Sequence, residues 1–133
     1  MVQRTSGEIM KKLIFALLMF FSCSLRAEWV LVGEGPSGNK YIDPATIRRE
    51  GDLIKYWALS NIRVRNKEGN MSWRTREELD CKKERYRMTS LTTFSDSMLG
   101  GSMNGNFNYP NEEWSDIPPG TLDAAKMKYV CAK

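Results

Sequence analysis

The segment MSWRTREELDC, from Met71 to Cys81, alternates regularly enough to constrain the fold more than any other part of the chain. Its apolar parity comprises Met71, Trp73, Thr75, Leu79 and Cys81, with Glu77 as the one misfit, and its polar parity comprises Ser72, Arg74, Arg76, Glu78 and Asp80. Successive side chains of a β-strand point to opposite faces, so this period of two predicts a strand with one buried and one hydrated face. Such a strand is typical of an antiparallel sheet, and its parity directs Cys81 towards the core.

Three further segments favour strands. The stretches EWVLVGEG (28–35) and LIKYWALSNIRVR (53–65) are rich in β-branched and aromatic residues. The stretch ERYRMTSLTTFS (84–95) continues the alternation, with one parity that comprises Tyr86, Met88, Ser90, Thr92 and Phe94. Turn-forming residues such as NKEGN (66–70) separate these stretches. The chain is therefore predicted to form an antiparallel meander of five or six strands.

A short helix is predicted at the C-terminus, in TLDAAKMKYVC (121–131). Thr121 follows a Pro-Pro-Gly turn and suits the N-cap position, because its hydroxyl can accept a hydrogen bond from a helical N–H that has no other partner. Asp123 in the first turn and Lys126 further along suit the helix dipole. The predicted fold is thus α+β, an antiparallel meander sheet with a C-terminal helix. Its last residue, Cys131, is positioned to reach Cys81.

The N-terminal region has the layout of a secretory signal peptide. From Met10 the chain reads MKKLIFALLMFFSCSLRAEW, with two lysines, an apolar run over 13–21 and small or polar residues up to Ala27. The apolar run is about half the roughly 20 residues that a membrane-spanning helix needs, so it is interpreted as an export signal. We expect a signal peptide at 1–27, with Met10 as a possible true start, and one domain at 28–133. The mature chain would be periplasmic, attached to the cell surface or secreted.

Export changes the interpretation of the cysteines. Cys23 falls within the signal, so the mature chain keeps Cys81 and Cys131, and an even number of cysteines in an exported protein indicates a disulfide. A bridge across this separation would stabilise the fold by about 4 kcal/mol in the chain-entropy model. The alternative, a catalytic thiol at Cys81, needs a base to form the thiolate, and the chain contains no histidine. The prediction is a Cys81–Cys131 disulfide.

Composition excludes several classes of function. Without histidine, the chain cannot build a Ser-His-Asp triad or a histidine-based zinc site. The predicted signal holds four of the 20 basic and one of the 16 acidic residues, so removing it lowers the net charge from +4 to +1 and leaves no general case for nucleic-acid binding. Glu77 and Glu78 would point to opposite faces of a strand and have basic neighbours, so both are interpreted as hydrated charges. No catalytic residue, cofactor or metal is predicted.

The glycine-rich stretch GGSMNGNFN (100–108) has some likeness to a phosphate-binding loop. It lacks the Lys-Ser/Thr ending of such loops, and no helical pattern follows it directly. A mobile loop is therefore predicted for this segment.

A candidate binding surface comes from basic residues that share strand parities. If the three strands concerned pair as a meander, one hydrated face of the sheet is lined by Arg63, Arg65, Arg74, Arg76, Arg85 and Arg87. A positive face would attract acidic segments of proteins or anionic polysaccharides, chiefly by raising the association rate. The alternative is an ordinary hydrated strand face with cross-strand ion pairs to Glu78, Asp80 and Glu84.

The order of several short motifs resembles the bacterial surface-adhesin protein E family. The motifs are Trp29, YID from Tyr41, Ile47, Trp57, Leu59, Asp80-Cys81, YRM from Tyr86, W..IPPGT from Trp114 and Val130-Cys131. The resemblance implies an antiparallel sheet with a C-terminal helix tethered by a disulfide, in an exported, non-enzymatic protein. It also implies possible binding of host matrix or serum proteins, as in the family's prototype, an outer-membrane lipoprotein.

Two questions stay open at the level of sequence. The residues before Cys23 depart from a lipoprotein signal because Phe20 and Phe21 precede Ser22, so cleavage after Ala27 is the prediction and a lipid anchor at Cys23 the alternative. The function is predicted to be that of a surface-adhesin-like protein. The alternatives are a periplasmic structural or small-ligand-binding domain and an unrecognised periplasmic enzyme.

Overall fold

The computed structural model describes Lys11 and residues 27–133, which form one sheet and one α-helix. The strands are β1 Val30–Glu34, β2 Gly38–Ile42, β3 Arg48–Glu50, β4 Leu53–Ile62, β5 Ser72–Asp80, β6 Arg85–Phe94, β7 Met103–Asn108 and β8 Ser115–Asp116, and the helix α1 is Leu122–Cys131. The predicted signal peptide and Cys23 lie outside the described residues, apart from Lys11 and Ala27. Within the described part, no helix is long and apolar enough to cross a membrane.

The strands form a meander, and every pairing is antiparallel. The main path runs β1-β2-β4-β5-β6-β7, which confirms the predicted α+β fold with six principal strands. Two short strands were not predicted. Strand β3 pairs with the start of β4, on the same edge of β4 that pairs with β2 further along the strand. In the same way, β8 pairs with the start of β6, on the edge that pairs with β7 further along.

Helix α1 covers part of one face of the sheet, which we call the inner face. The buried hydrophobic core lies between them and comprises Ile42, Ile54, Tyr56, Ala58, Leu79, Ile117 and Val130. Leu79 on β5 pairs with Ile54 on β4, so the predicted apolar parity of β5 is confirmed, although Ser72 and Asp80 of the predicted hydrated parity are also buried. At the end of this strand, Cys81 forms the predicted disulfide with Cys131, which ties the end of the helix to the sheet.

The start of the helix is also as predicted. The side chain of Thr121 accepts a hydrogen bond from the backbone N–H of Ala124 at 3.1 Å, so Thr121 is the N-cap. The first turn then packs on β1, where a Cβ added to Gly33 would lie 3.2 Å from a methyl group of Leu122. A small residue on β1 thus permits close approach of the helix to the sheet.

A β-bulge in β6 overturns the predicted facing of the second half of that strand. Glu77 pairs with Met88, but its neighbour Arg76 pairs with Ser90, so Thr89 is the extra residue. An extra residue reverses the parity beyond it. Tyr86 and Met88 before the bulge and Leu91 and Thr93 after it therefore face the core. The prediction of a single parity from Tyr86 to Phe94 is wrong.

The predicted mobile loop at 100–108 is wrong for residues 103–108, which form the edge strand β7. This strand pairs with β6 and sets Phe107 opposite Leu91. A Cβ added to Gly105 would lie 2.7 Å from the ring of Phe107 and 3.1 Å from Thr93 Oγ1. The glycine that suggested a loop is needed here for close side-chain packing across the strands.

Candidate functional site

The face of the sheet opposite the helix, which we call the outer face, carries two tryptophans that each lie beneath two arginines. At one end, Trp57 on β4 lies 5.2 Å from the Arg74 guanidinium and 5.9 Å from that of Arg76, measured to the ring centroid. Both arginines project from β5, where Arg76 is directly opposite Trp57. A guanidinium at this distance from an indole is attracted by the ring electrons. We call these three residues the Trp57 site.

The other end of the outer face has the same composition. Trp114 immediately precedes β8, whose pairing with the start of β6 brings its ring against that strand. The guanidinium groups of Arg85 and Arg87 lie 4.6 Å and 4.3 Å from the Trp114 centroid. We call these three residues the Trp114 site.

Carboxylates neutralise the arginines of the Trp114 site. Glu78 accepts from Arg87, with N–O distances of 2.6 Å and 2.8 Å, and Asp80 lies 3.5 Å from Arg85. The backbone N–H of Lys83, followed by the charge of Arg85, lowers the pKa of Asp80 and keeps it ionised. At this end the sheet therefore has the cross-strand ion pairs that were the alternative to a binding surface. The third predicted partner, Glu84, forms no ion pair within residues 27–133.

The Trp57 site lacks such partners. Neither Arg74 nor Arg76 forms an ion pair with any described residue, and the same holds for Arg48 on the adjoining strand β3. The Nε atoms of Arg74 and, at the Trp114 site, Arg85 are both buried and have no hydrogen-bond acceptor in the described structure, so this feature does not distinguish the two sites. Arg48 and Arg76 are exposed. The uncompensated positive charge of the outer face is therefore concentrated near Trp57.

A short 3₁₀ turn, Pro44–Thr46, shapes the surface beside Trp57. It follows Asp43, whose Oδ1 accepts from the Ala45 N–H at 3.1 Å, and it occupies the stretch of the β4 edge between β2 and β3. The hydroxyl of Thr46 accepts from the backbone N–H of Trp57 at 3.0 Å. The Asp43-Pro44 pair favours a turn by itself, but the bond of this turn to Trp57 depends on the pairing of the strands.

Two clefts open on either side of this turn, and Trp57 and Thr46 line both. The larger has a volume of about 320 Å³ and includes Arg48, Lys55 and Arg76 in its lining. The smaller has a volume of about 170 Å³ and is lined by Ala27, Trp29, Asp43, Thr46, Trp57 and Arg74. We call them the large cleft and the small cleft.

Acidic groups in the clefts are already engaged. In the large cleft, Glu50 lies 2.8 Å from the Lys55 ammonium, and this hydrogen bond and the Lys55 charge lower the pKa of Glu50. In the small cleft, Asp43 holds the 3₁₀ turn through the bond to Ala45. The charges of Arg76 and Arg48 also contribute to lowering the pKa of Glu50, so this carboxylate partly offsets their charge, although neither arginine forms a direct ion pair with a described residue.

Two of the six predicted arginines are not on this face. Strand β4 ends at Ile62, so Arg63 and Arg65 lie in the connection to β5. Arg63 donates to the Gly35 carbonyl at 3.1 Å. Arg65 donates to the carbonyls of Gly69 and Ser95 and lies 3.4 Å from Asp96. Because both side chains hold loops in place, the prediction that they share a strand face with the other four arginines is wrong.

The inner face contains a buried ion cluster that sequence reasoning missed. Lys126 of α1 is completely buried and donates to Glu77 on β5 at 2.7 Å and to Asp123 at 3.0 Å. Glu77 also accepts from the Tyr56 hydroxyl at 2.7 Å and from the Thr75 hydroxyl at 3.1 Å. The interpretation of Glu77 as a hydrated charge is therefore wrong. Its position on the apolar parity was the one signal of its burial, but its partner lies on the distant helix.

Neighbouring charges outweigh the effect of burial on the pKa values of Lys126 and Asp123. Burial acts to lower the pKa of Lys126, but the charges of Glu77 and Asp123 raise it above its ordinary value. Burial acts to raise the pKa of Asp123, but Lys126 and Lys40 together lower it. Burial, and then the charge of Glu77, raises the pKa of Tyr56. The cluster is thus a set of satisfied charges, as a buried structural ion pair requires.

The helix leaves the β6–β7 part of the inner face uncovered. A groove of about 520 Å³ lies there, with an apolar lining that includes Trp73, Met88, Leu91 and Phe107. The Phe107 side chain is exposed at the edge of the sheet. Across residues 27–133, no group of three or more carboxylate or cysteine side chains is arranged to hold a metal ion.

Comparison with known proteins supports the resemblance seen in the sequence. The model of the family Surface-adhesin protein E matches residues 29–132. Crystal form II of Haemophilus influenzae protein E is similar, with a TM-score of 0.61 and 14% identity over 82% of this chain and 91% of that chain. Protein E from non-typeable Haemophilus influenzae gives a TM-score of 0.56 and 14% identity over 83% of this chain and 79% of that chain. A comparison with curated protein sequences finds no significant match.

At this identity, the likeness to the solved structures shows a shared fold. The sheet, the C-terminal helix and the disulfide agree with the fold that the resemblance implied. The family match extends over nearly all of the described domain, from before β1 to the end of α1. This chain belongs to the surface-adhesin protein E family.

Proposed function

We propose that this chain is an exported, non-enzymatic surface adhesin that binds host matrix or serum proteins through the Trp57 site. The family supports adhesion as the general role. The observation that supports this particular surface is the pair of arginines, Arg74 and Arg76, that lie on Trp57 without a carboxylate partner among residues 27–133.

The chemistry of these residues suits a protein interface. Arginine and tryptophan are enriched among the residues that dominate binding energy at interfaces. A guanidinium can form two parallel hydrogen bonds with a carboxylate, which suits acidic segments of a partner protein. Because Arg76 is exposed and unpaired, a ligand carboxylate would not have to displace an internal one. At the Trp114 site it would have to compete with Glu78 and Asp80.

The two sites provide a matched experiment. One variant carries Arg74→Ser and Arg76→Ser, and its control carries Arg85→Ser and Arg87→Ser, so both lose two positive charges from the same face. We expect the first variant to bind immobilised matrix and serum proteins roughly tenfold more weakly than the unmodified chain, and the control to bind with little change. The loss should be larger at low salt than at physiological salt, because surface charges are screened.

Circular dichroism and thermal unfolding should first show that both variants keep the fold. Equal losses in the two variants would mean that general positive charge, and not the Trp57 site, determines binding. Unchanged binding by the folded Arg74→Ser, Arg76→Ser variant would exclude this surface as the contact.

Export is the second part of the proposal. We infer that residues 1–27 direct secretion and are removed, so that the mature chain begins near Glu28 and is periplasmic, attached to the cell surface or secreted. Fractionation of expressing cells, with intact-mass analysis of the exported chain, tests this. Detection of the full-length chain in the cytoplasm only would contradict export, and a lipid-modified chain beginning at Cys23 would replace cleavage after Ala27.

A further inference from the structure

Each of the two clefts beside Trp57 combines this tryptophan with at least one arginine. The large cleft combines the Trp57 ring with Arg76 and Arg48, and the small cleft combines it with Arg74 and a second indole, Trp29. Each cleft therefore has an aromatic wall and at least one arginine that has no ion-pair partner in the described part of the chain. Such a repeat suits a polymer in which each unit brings a ring and a negative charge.

The dimensions and donors of the clefts fit sugar rings better than a flat protein contact. The large cleft, at about 320 Å³, lies at the lower end of the roughly 300–1,000 Å³ that is usual for small-molecule sites. The part of the Trp57 indole that Arg74 and Arg76 do not cover presents an apolar surface on which the C–H side of a sugar ring can pack. The planar guanidinium matches the geometry of a carboxylate and can donate in the same way to a sulfate group.

We propose that the Trp57 site with its large and small clefts binds an anionic polysaccharide, with adjacent sugar units stacked against Trp57 and their acidic groups on Arg74 and Arg76. This inference rests on the proposed function, because it places the ligand at the same surface, and it names a chemical class of ligand beyond proteins.

An acidic segment of a protein, which is the ligand of the proposed function, is the comparison, and a polysaccharide differs from it in the groups that each unit brings to the clefts. The flexible side chain of Asp or Glu could reach an arginine, but it has no ring to occupy the cleft beside the indole. A uronate or sulfated sugar unit carries the ring and the charge together. The aromatic wall is therefore the feature that separates the two ligands.

The test measures the affinity of the chain beginning at Ala27, which keeps every residue that lines the small cleft, for soluble probes by calorimetry, at low salt and at about 0.15 M salt. The probes are a heparin oligosaccharide, which carries sulfate and carboxylate, a hyaluronan oligosaccharide, which carries carboxylate only, and polyglutamate of similar charge. We expect at least one of the two oligosaccharides to bind more tightly than polyglutamate. The preference between them shows whether sulfate or carboxylate is the favoured group.

Matched variants identify the site. Trp57→Leu should weaken oligosaccharide binding by roughly tenfold, whereas Trp114→Leu, which removes the corresponding indole beneath Arg85 and Arg87, should have little effect. Because Trp57 is half-buried and its replacement can disturb packing, Arg48→Ser provides a second variant on the exposed strand β3. It should weaken binding to the oligosaccharide without changing thermal stability.

The results separate this inference from the proposed function. Equal binding of polyglutamate and the oligosaccharides, or no effect of both Trp57→Leu and Arg48→Ser, would overturn the polysaccharide assignment. So would absence of oligosaccharide binding, even if matrix-protein binding still depends on Arg74 and Arg76. Conversely, oligosaccharide binding that depends on Trp57, together with matrix-protein binding that is independent of Arg74 and Arg76, would support this inference and contradict the proposed function.

Discussion

Arg76 and Glu77 are neighbours on β5, yet they belong to two differently organised charged regions. Glu77 points to the inner face, where it is buried and bound by Lys126 and Tyr56. Arg76 points to the outer face, where it is exposed on Trp57 and has no ion pair within the described chain. Because successive side chains of a strand point to opposite faces, Glu77 holds the helix in place while its neighbour Arg76 is available to a ligand.

The difference has an energetic basis. A buried charge that loses its partner keeps the cost of its removal from water, so the inner cluster tolerates little change. An exposed charge is hydrated with or without a partner, and its contribution to folding is small. We therefore expect substitutions in the ion cluster to change stability and leave ligand binding intact, and substitutions in the Trp57 site to do the reverse.

The largest expected effect is that of Lys126→Met. Removal of the ammonium leaves Glu77 buried without its positive partner, which should lower the free energy of unfolding by about 3–5 kcal/mol. Urea unfolding at neutral pH measures this. Binding by the fraction that stays folded should be unchanged, because Lys126 does not reach the outer face.

A matched double variant, Lys126→Met with Glu77→Leu, removes both charges and fills the space with apolar atoms. It should recover part of the stability that Lys126→Met loses, since buried ion pairs can be replaced by apolar residues, but the hydroxyls of Tyr56 and Thr75 lose their acceptor. If the double variant is as unstable as the sum of the two single variants, the two residues do not act as a pair.

Loss of the disulfide should have the next largest effect on stability. Cys81→Ser and Cys131→Ser each remove the disulfide that ties the end of the helix to the sheet. The chain-entropy model gives about 4 kcal/mol as an upper guide to the loss in the free energy of unfolding for a loop of this length. The two single variants and the double variant should have similar melting temperatures, because all three lack the same bridge. Clearly additive losses would show that the cysteines have separate roles, and two free thiols in the exported chain would contradict the bridge itself.

The pH dependence of stability should distinguish the two regions further. The pKa values of Lys126 and Tyr56 are raised in the folded chain above their ordinary values of 10.5 and 10.0. Each group therefore contributes stability that is fully present at a pH below its ordinary pKa and is lost as the pH rises through its raised pKa. The lowered pKa of Asp123 contributes stability that is present above its ordinary value of 3.8 and is lost as the pH falls through the lowered value. We therefore expect a plateau between these limits, with losses on both sides.

Urea unfolding across this pH range gives the measurement, and the Lys126→Met, Glu77→Leu variant gives the control. The variant should lose less stability at alkaline pH than the unmodified chain, because Tyr56 still contributes and Lys126 does not. Identical profiles for the variant and the unmodified chain would show that the ion cluster does not determine the pH limits. Arginine keeps its charge throughout, so the outer face should bind equally well across the plateau.

Local sequence patterns were sufficient for the parts of the fold that depend on one segment at a time. The alternation over 71–81 predicted strand β5 and the inward direction of Cys81, and the hydroxyl of Thr121 after a Pro-Pro-Gly turn predicted the start of the helix. Export and an even cysteine count then predicted the bridge to Cys131. Each of these inferences uses a preference that the segment has by itself.

The remaining features depend on pairs of segments. The bulge at Thr89 arises from the register between β5 and β6, and the burial of Glu77 depends on a lysine that approaches from the helix. The segment that forms β7 has a weak intrinsic strand preference, which pairing with β6 overrides. For the candidate site, four of the six predicted arginines share the outer face, but the difference between its two ends comes from contacts that no single segment encodes.

The smallest expected effect is the most direct test of why the two ends of the outer face differ. Glu78 holds Arg87 at 2.6 Å and lies 3.8 Å from Lys55, so Glu78→Gln should release two cations with little change of shape. The stability loss should be no more than about 1 kcal/mol, as for other partly exposed ion pairs.

The Trp114 site of this variant would then resemble the Trp57 site, with an indole beneath a guanidinium that lacks a partner. We expect Glu78→Gln to strengthen binding of an anionic ligand by roughly two- to threefold at low salt. Adding Arg85→Ser and Arg87→Ser to this variant should then weaken binding, whereas the same two substitutions in the otherwise unmodified chain should have little effect. Glu84→Gln, which removes an exposed carboxylate that forms no ion pair within residues 27–133, is the control for net charge. An equal gain from Glu84→Gln would mean that overall charge governs binding. No gain from either variant would mean that the clefts beside Trp57, which the Trp114 site does not share, determine which end of the face binds.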